Sequence, residues 1–191
     1  MPFMECRVSI EDANKRTVRY IVLPVLLLAA AVFILNFSRW DFSFWTQSSS
    51  IGFWRWMLSY VMWMLIFIAT LLAGVFVHEG IHGVLIALFA KGGFRSLSFG
   101  FDRKTMSPFA HSRVPLRAWQ MSTVCLGPLV LQGIVPMALA VWWGSVFVFV
   151  LSVIFVIAAG GDIIYAGLLR KVPSGAFVED LPDAVGYRTV Q

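Results

Sequence analysis

The sequence predicts an all-α polytopic membrane protein of about four transmembrane helices, with a short strand-like or hairpin segment at 94–115. The main evidence is a shortage of charge: hydrophobic residues make up 59% of the 191 positions and charged residues only 13%. Soluble domains are about a quarter charged, so this chain cannot cover a compact globule with polar surface. A mean hydropathy of +0.81 excludes intrinsic disorder on the same ground.

Four apolar runs predict the transmembrane helices in chain order. They are 20–37, 56–90, 123–143 and 145–169. Each is close to or beyond the roughly 20 residues that cross the hydrocarbon core of a bilayer. The second run is much longer than that. We interpret it as one tilted helix that continues beyond the core, rather than two helices broken near Gly74.

The charges between these runs predict the domain plan and the orientation. Residues 1–19 form an N-terminal segment, 20–169 the membrane domain and 170–191 a tail. With four spans, thirteen of the fifteen Lys and Arg residues fall on one side of the membrane. Because basic loops stay on the cytoplasmic side, both termini and the 91–122 segment are expected in the cytoplasm. The expected location is therefore multi-pass, in the plasma membrane.

The formal net charge of +5 accordingly concerns topology rather than a nucleic-acid partner. Nucleic-acid binding needs a basic face on a folded soluble surface, whereas the charges here lie only between apolar runs. Cys6 and Cys125 lie far apart without C-x-x-C spacing. This excludes both a disulfide framework and a cysteine-based zinc site.

The segment that carries chemistry is His78-Glu79-Gly80-Ile81-His82, an H-E-x-x-H motif inside the second apolar run. Residues four apart on a helix point the same way, so the two imidazoles can converge on one metal ion. Glu79 lies about 100° round the helix from His78 and can approach a water on the metal rather than the metal itself. Two histidines bonded only to backbone carbonyls are the structural alternative. Ionisable groups in a membrane helix are costly and usually functional, which favours the metal site.

A catalytic zinc site needs one more protein ligand than this motif supplies. The candidates are Asp162, His111, Asp102 and the acids of the tail. Asp162 is favoured because it is the only other charge inside an apolar run. Its depth agrees, since Asp162 precedes Arg170 by eight residues and His82 precedes Lys91 by nine, both about 12–14 Å from their helix ends. A helix cap or an interhelical hydrogen bond is the alternative role for Asp162.

Three further pieces follow the metal motif along the chain: GPLV at 127–130, GGDI at 160–163 and PSGAFVED at 173–180. In this order the pieces resemble the site-2-protease-type intramembrane zinc metallopeptidases, and most closely the small putative zincin peptidase membrane family. Leu131 stands where that pattern often has Asn, and Ile163 where it has Gly. The resemblance covers about residue 74 to the C-terminus. It implies Zn2+ bound by His78, His82 and Asp162, with Glu79 as the catalytic base.

The segment between the second and third runs predicts a substrate contact. Leu97, Phe99 and Phe101 alternate with polar residues and glycine, which is the period-two pattern of a short strand. A strand edge near the active site could pair with an extended substrate, so these three residues are the candidate substrate-binding residues. The alternative is a loop on the membrane surface whose aromatic side chains enter the lipid.

The predicted function is a zinc metalloprotease, intramembrane or membrane-associated, that hydrolyses peptide bonds of membrane-bound substrates. Glu79 is the general base that takes a proton from the attacking water. The expected partners are a membrane protein or peptide substrate and the lipid bilayer. Two alternatives stay open: a catalytically inactive metal-binding scaffold that binds a membrane partner, and a small transporter component. A pure scaffold does not need Glu79, and no relay of ionisable groups crosses the predicted spans.

Overall fold

The computed structural model describes residues 5–43, 52–102, 107–181 and 185–190. The chain is mostly helical, at 71%, but it begins with a strand. The first segment contains strand β1 (Glu5–Val8), helix α1 (Ile10–Thr17), a π-helical turn (Val18–Val22), helix α2 (Leu23–Leu35) and a 3-10 turn (Phe37–Arg39). Ser9 caps α1 by accepting a hydrogen bond from the Asp12 N–H. From Glu11 to Leu35 this segment is long and apolar enough to cross a membrane.

Helix α3 (Phe53–Phe89) is the longest element and contains 37 residues. The run predicted at 56–90 is therefore one helix. At 1.5 Å per residue it is about 55 Å long, well beyond the roughly 30 Å of a hydrocarbon core. Most of its large apolar side chains are exposed, whereas its buried residues, Gly74, His82, Gly83 and Ile86, lie toward its C-terminal end.

The third candidate span is Ala118–Trp143, which contains a π-helical segment in its middle. It consists of α4 (Ala118–Pro128), the π-helical residues Leu129–Ile134 and α5 (Val135–Trp143). Pro136 is the second residue after this π segment, and Pro24 is the second residue after the π turn in the first span. Proline has no N–H to donate, so the preceding turn loses a regular hydrogen bond and widens.

The run predicted at 145–169 forms two helices. These are α6 (Val146–Ala158) and α7 (Gly160–Leu169), which are bent by 45° relative to each other. Three helices of the described residues are thus long and apolar enough to span a membrane alone, and the bent pair makes a fourth if it counts as one span. The expectation of about four spans agrees with this range.

The predicted hairpin segment at 94–115 contains an antiparallel pair of strands. After a 3-10 turn (Gly93–Ser96), β2 (Leu97–Asp102) pairs with β3 (Ser107–Ser112), with Phe99 opposite Ala110. The pair forms a two-stranded sheet and packs against α3.

The expectation of an all-α fold is wrong in one respect, because the structure contains a second sheet of four strands. Besides β1, its strands are β4 (Leu116–Arg117), β5 (Phe177–Asp180) and β6 (Val185–Val190), in the antiparallel order β1-β6-β5-β4. The prediction for residues 1–19 and 170–191 is an N-terminal segment and a tail, without strands. They form strands because they pair with each other, Glu5 opposite Arg188 and Val8 opposite Val185.

This four-stranded sheet also joins three chain segments that flank the candidate spans. The segment before the first span supplies β1, the segment between the second and third supplies β4, and the segment after α7 supplies β5 and β6. All three must lie at the same end of the helices to share one sheet. After α5 the chain returns to that end through the bent pair α6–α7.

The main core lies where the sheet meets the ends of α3, α4 and α7. Ile86, Met121, Cys125, Leu169 and Tyr187 are among its buried residues. A second, smaller cluster lies near the opposite ends of the helices and includes the buried Trp40, Ala140 and Phe149. The main core therefore packs around the end of α3 that directly follows the H-E-x-x-H motif.

Candidate metal centre

The H-E-x-x-H residues lie on the inner part of α3 and their side chains converge. Ligand atoms of His78, Glu79 and His82 lie within 4.8 Å of one another. Among the described residues, this is the cluster of at least three His, Cys, Asp or Glu side chains that is compact enough to hold a metal ion. The helical spacing produces this directly, because residues 78 and 82 are four apart on an unbroken helix.

Asp162 reaches the same point from the first turn of α7. One carboxylate oxygen lies 3.1 Å from His78 Nε2 and the other lies 3.5 Å from His82 Nε2. The exposed fractions of these three side chains are 23% for Asp162, 14% for His78 and 10% for His82. A carboxylate in the first turn of a helix is also favoured by the helix dipole. The bend between α6 and α7 places that turn opposite α3.

The His82 ring is oriented by a bond on its other side. Its Nδ1 lies 2.9 Å from the carbonyl oxygen of Val124 on α4. A carbonyl only accepts, so Nδ1 carries the proton and donates, which leaves the Nε2 lone pair directed at Asp162 and His78. Metal-binding histidines usually have such an outer hydrogen bond, which fixes the tautomer and the ring plane.

Close packing brings α4 near enough for that contact. A side chain at Gly127 would overlap Leu85 and approach Ile81, so glycine lets α4 lie directly against α3. Farther along the same pair of helices, the Gln132 amide donates a hydrogen bond of 2.8 Å to the Gly74 carbonyl. These two contacts fix α3 on either side of the H-E-x-x-H residues.

A cavity of about 180 Å³ opens at this point, between α3, α4, α7 and the hairpin. Glu79, His82 and Asp162 line it from the helices, and residues 109–112 of β3 line it from the hairpin. The Ala110 backbone lies beside the Glu79 carboxylate. The hairpin thus covers the cavity next to Glu79.

The donor set fits a zinc ion. Atoms bonded to tetrahedral zinc at about 2.0–2.1 Å lie about 3.3 Å apart, and the Asp162 oxygens are 3.1 and 3.5 Å from the two imidazole nitrogens. Two His and one Asp are also the nitrogen and oxygen ligands that catalytic zinc sites use, with a fourth position left for water or substrate.

Comparison with known families agrees with this chemistry. The family model described as "Putative zincin peptidase" matches residues 71–177, more than half of the chain. The chain belongs to this family. The matched zincin region starts seven residues before His78 and includes α4, α7 and the hairpin, so it contains every side chain of the candidate centre. No curated protein and no solved structure matches this chain.

The structure places the predicted site residues in two groups. His78, Glu79, His82 and Asp162 come together across 84 positions of sequence. Leu97, Phe99 and Phe101 do not line the cavity: Leu97 is part of the main core, Phe99 packs against Gly83, and Phe101 is about half exposed. Of the other candidate ligands, the Asp102 side chain lies outside the described residues, and His111 pairs with Asp180 of the tail instead.

The pairing of His111 with Asp180 in this cavity is not predicted by the sequence. His111 Nδ1 lies 2.5 Å from an Asp180 carboxylate oxygen, and both residues line the cavity. The hydrogen bond to Asp180 raises the pKa of His111, and burial opposes that rise. A signal existed, since Asp180 ends the PSGAFVED piece, but nothing in the sequence indicates that β5 lies beside β3.

Proposed function

We propose that this protein is a zinc metalloprotease that acts in or at the membrane and hydrolyses peptide bonds of membrane-bound proteins or peptides. The observation that carries the proposal is the convergence of four groups on one point. Ligand atoms of His78, Glu79 and His82 lie close together on one helix, and Asp162 approaches the two imidazoles from another. Glu79, His82 and Asp162 line a cavity that the hairpin covers. Family membership supports the same class of chemistry.

In this proposal His78, His82 and Asp162 hold the zinc ion. When bound, zinc polarises the carbonyl of the peptide bond and makes water a stronger acid. The Val124 carbonyl keeps the His82 ring in the orientation that directs Nε2 into the site. Asp162 approaches both imidazoles, so its two oxygens can serve one ion without a large movement of α7.

Glu79 moves the proton. Its carboxylate takes a proton from the attacking water and then delivers it to the nitrogen of the leaving amine. Glu79 neighbours both histidines within the compact cluster, and it lines the cavity beside Ala110 of the hairpin. This position supports its proposed role in proton transfer.

The position of the cavity supports a membrane-bound substrate. His78 is on a helix long and apolar enough to cross a membrane, and Asp162 is on the bent pair that makes a fourth span if it counts as one. Large apolar side chains cover the exposed surface of α3. Each strand of the two-stranded sheet has one edge unpaired within the described residues. We propose that an extended substrate pairs with such an edge, with Phe99 and Phe101 contacting its side chains.

The orientation in the membrane is part of the proposal. The four-stranded sheet places both terminal segments and β4 at one end, and thirteen of the fifteen basic residues are assigned to that end in a four-span topology. By the positive-inside rule, this end of the helices faces the cytoplasm. The proposed membrane is the plasma membrane. The zinc site then opens toward the cytoplasmic half of the bilayer.

The test is a comparison of Glu79→Gln with the wild-type protein. The zinc-loaded full chain is incubated with detergent-solubilised membrane proteins, and new N-termini are identified by mass spectrometry. We expect cleavage by the wild type and a loss of at least about a hundredfold in Glu79→Gln, with zinc still bound. Glu179→Gln, on the exposed surface of β5, is the matched control and should cleave normally.

Two results would contradict the proposal. The same new N-termini from Glu79→Gln would show that Glu79 is not the base. One zinc per chain without any Glu79-dependent cleavage would instead favour the metal-binding scaffold.

A further inference from the structure

The cavity lined by Glu79, His82 and Asp162 also contains charged groups that have no role as zinc ligand or base in the proposed function. His111 on β3 and Asp180 on β5 face it together, 69 positions apart in sequence. Their elements belong to different sheets, so this contact links the hairpin to the four-stranded sheet across the cavity.

His111 differs from most residues that line the cavity because its side chain can carry a positive charge. Three lining side chains are carboxylates, namely Glu79, Asp162 and Asp180. The lining side chains that can carry positive charge are His82 and His111, among the residues the structure describes. His82 has both ring nitrogens engaged, one with Val124 and one with Asp162. Within the described part of the chain, the His111 ring has its hydrogen bond at Nδ1, to Asp180.

The remaining nitrogen of His111 has a defined chemistry. A carboxylate accepts, so the bond to Asp180 requires a proton on Nδ1, and protonation of the ring then puts a second N–H on Nε2. The hydrogen bond to Asp180 raises the pKa of His111, against the effect of burial. The other charged groups that face the ring are Glu79 and His82 on α3.

We propose that His111, oriented by Asp180, is a further catalytic residue whose Nε2–H donates a hydrogen bond to the substrate carbonyl oxygen as that oxygen becomes negatively charged. The donor stands on the hairpin, across the cavity from the helices that bear the zinc ligands and Glu79. Groups that are aimed in advance at developing charge are among the strongest contributors to catalysis. Asp180 is a positioning residue, since it acts through His111. The inference rests on the proposed function.

Two substitutions separate this role from a purely structural link. The amide nitrogen of Asn occupies the place of Nδ1, so His111→Asn keeps a donor to Asp180 and removes the donor at Nε2. The longer Gln amide occupies the place of Nε2, so His111→Gln keeps a donor toward the cavity and gives up the link. A structural link makes Gln the damaging change, whereas the proposed donor makes Asn the damaging one.

The measurement is binding of two probes by calorimetry to the zinc-loaded full chain in detergent. One probe is a phosphinic dipeptide of two leucines, whose anionic PO2 group replaces the peptide bond that is cut. The other is acetohydroxamate, which chelates zinc without imitating that tetrahedral anion. Arg113→Gln is the control, because it removes a positive charge from the exposed end of the same hairpin.

We expect His111→Asn to weaken the phosphinic dipeptide roughly tenfold or more and His111→Gln to weaken it less. Acetohydroxamate should bind all variants alike, and Arg113→Gln should match the wild type with both probes. On a peptide that the wild type cuts through Glu79, His111→Asn should lower kcat about a hundredfold and leave KM within about twofold.

The outcomes distinguish this inference from the proposed function. Equal binding of the phosphinic dipeptide by His111→Asn and the wild type overturns the inference, as does a wild type that binds neither probe. Equal weakening of both probes overturns it too, since that indicates a collapsed cavity. If the wild type binds both probes as expected but cuts no peptide, the proposed function fails while the anion-binding role of His111 stands.

Discussion

Two histidine–aspartate contacts lie side by side in this protein, and they differ in whether there is space for a metal ion between the side chains. At the first, Asp162 approaches the Nε2 atoms of His78 and His82 at 3.1 and 3.5 Å. At the second, Asp180 binds the Nδ1 atom of His111 alone. Three side chains that meet at one point have room for an ion between them, whereas a single short contact has none.

The supporting elements differ as well. The first contact joins two helices in the apolar part of the chain, and each residue comes from a motif visible in the sequence. The second joins strands of two different sheets. We interpret the first as a centre that binds a metal and the second as a pair that acts on the substrate. Substitutions at the two contacts should therefore have different effects.

The largest effect is expected when the first contact is broken. His82→Ala or Asp162→Asn should weaken zinc binding by more than about a hundredfold, because each removes a ligand from a three-residue site. His111→Asn should bind zinc as the wild type does. The measurement is zinc per chain by elemental analysis after dialysis against a competing chelator. Zinc retained by Asp162→Asn and lost by His111→Asn would reverse the division.

An intermediate effect is expected from the sheet that supports Asp180. A side chain at Gly186 on β6 would overlap the Cys6 carbonyl of β1, and a backbone group cannot move aside as a flexible side chain can. Gly186→Ala should lower the free energy of unfolding by about 1–3 kcal/mol, measured by denaturation in detergent.

Gly175→Ala is the matched control for that experiment. A side chain there would have no heavy atom within 4 Å, so its stability should change by less than about 0.5 kcal/mol. Both variants should keep their zinc. Equal stability of Gly186→Ala and Gly175→Ala would mean that the pairing of β1 with β6 does not contribute to the folded state.

The smallest effect concerns pH. The bond to Asp180 raises the pKa of His111 above its ordinary value of 6.5. The protonated pair therefore contributes its full stabilisation below about pH 6.5 and loses it as the pH rises through the higher pKa of the folded protein. Melting temperatures should fall more steeply from pH 6 to pH 9 in the wild type than in His111→Gln. Parallel curves would show that this pair does not titrate with folding.

The sequence predicts the helices and the first contact well because both depend on local or additive properties. Long apolar runs form helices whatever their partners are, and the spacing in H-E-x-x-H acts within one turn. Even Asp162 could be matched with His82 by counting residues from the ends of the runs, since depth in a membrane is an additive quantity.

The four-stranded sheet and the His111–Asp180 pair depend instead on contacts between distant parts of the chain. β1 and β6 are short segments of mixed polar and apolar residues that pair with each other from opposite ends of the chain. His111 could be listed as a candidate ligand, but its actual partner depends on how β5 packs beside β3. Predicting such contacts requires the tertiary arrangement, which no residue pattern in this chain specifies.

The order of the elements along the chain has a consequence for biosynthesis. α3 is synthesised early, yet Asp162 follows His78 by 84 positions and Asp180 comes later still. A nascent chain that ends before α7 has two imidazoles and Glu79 but neither aspartate. Such a chain lacks the proposed third ligand, so a ribosome-bound intermediate has no complete centre with which to cut its neighbours in the membrane.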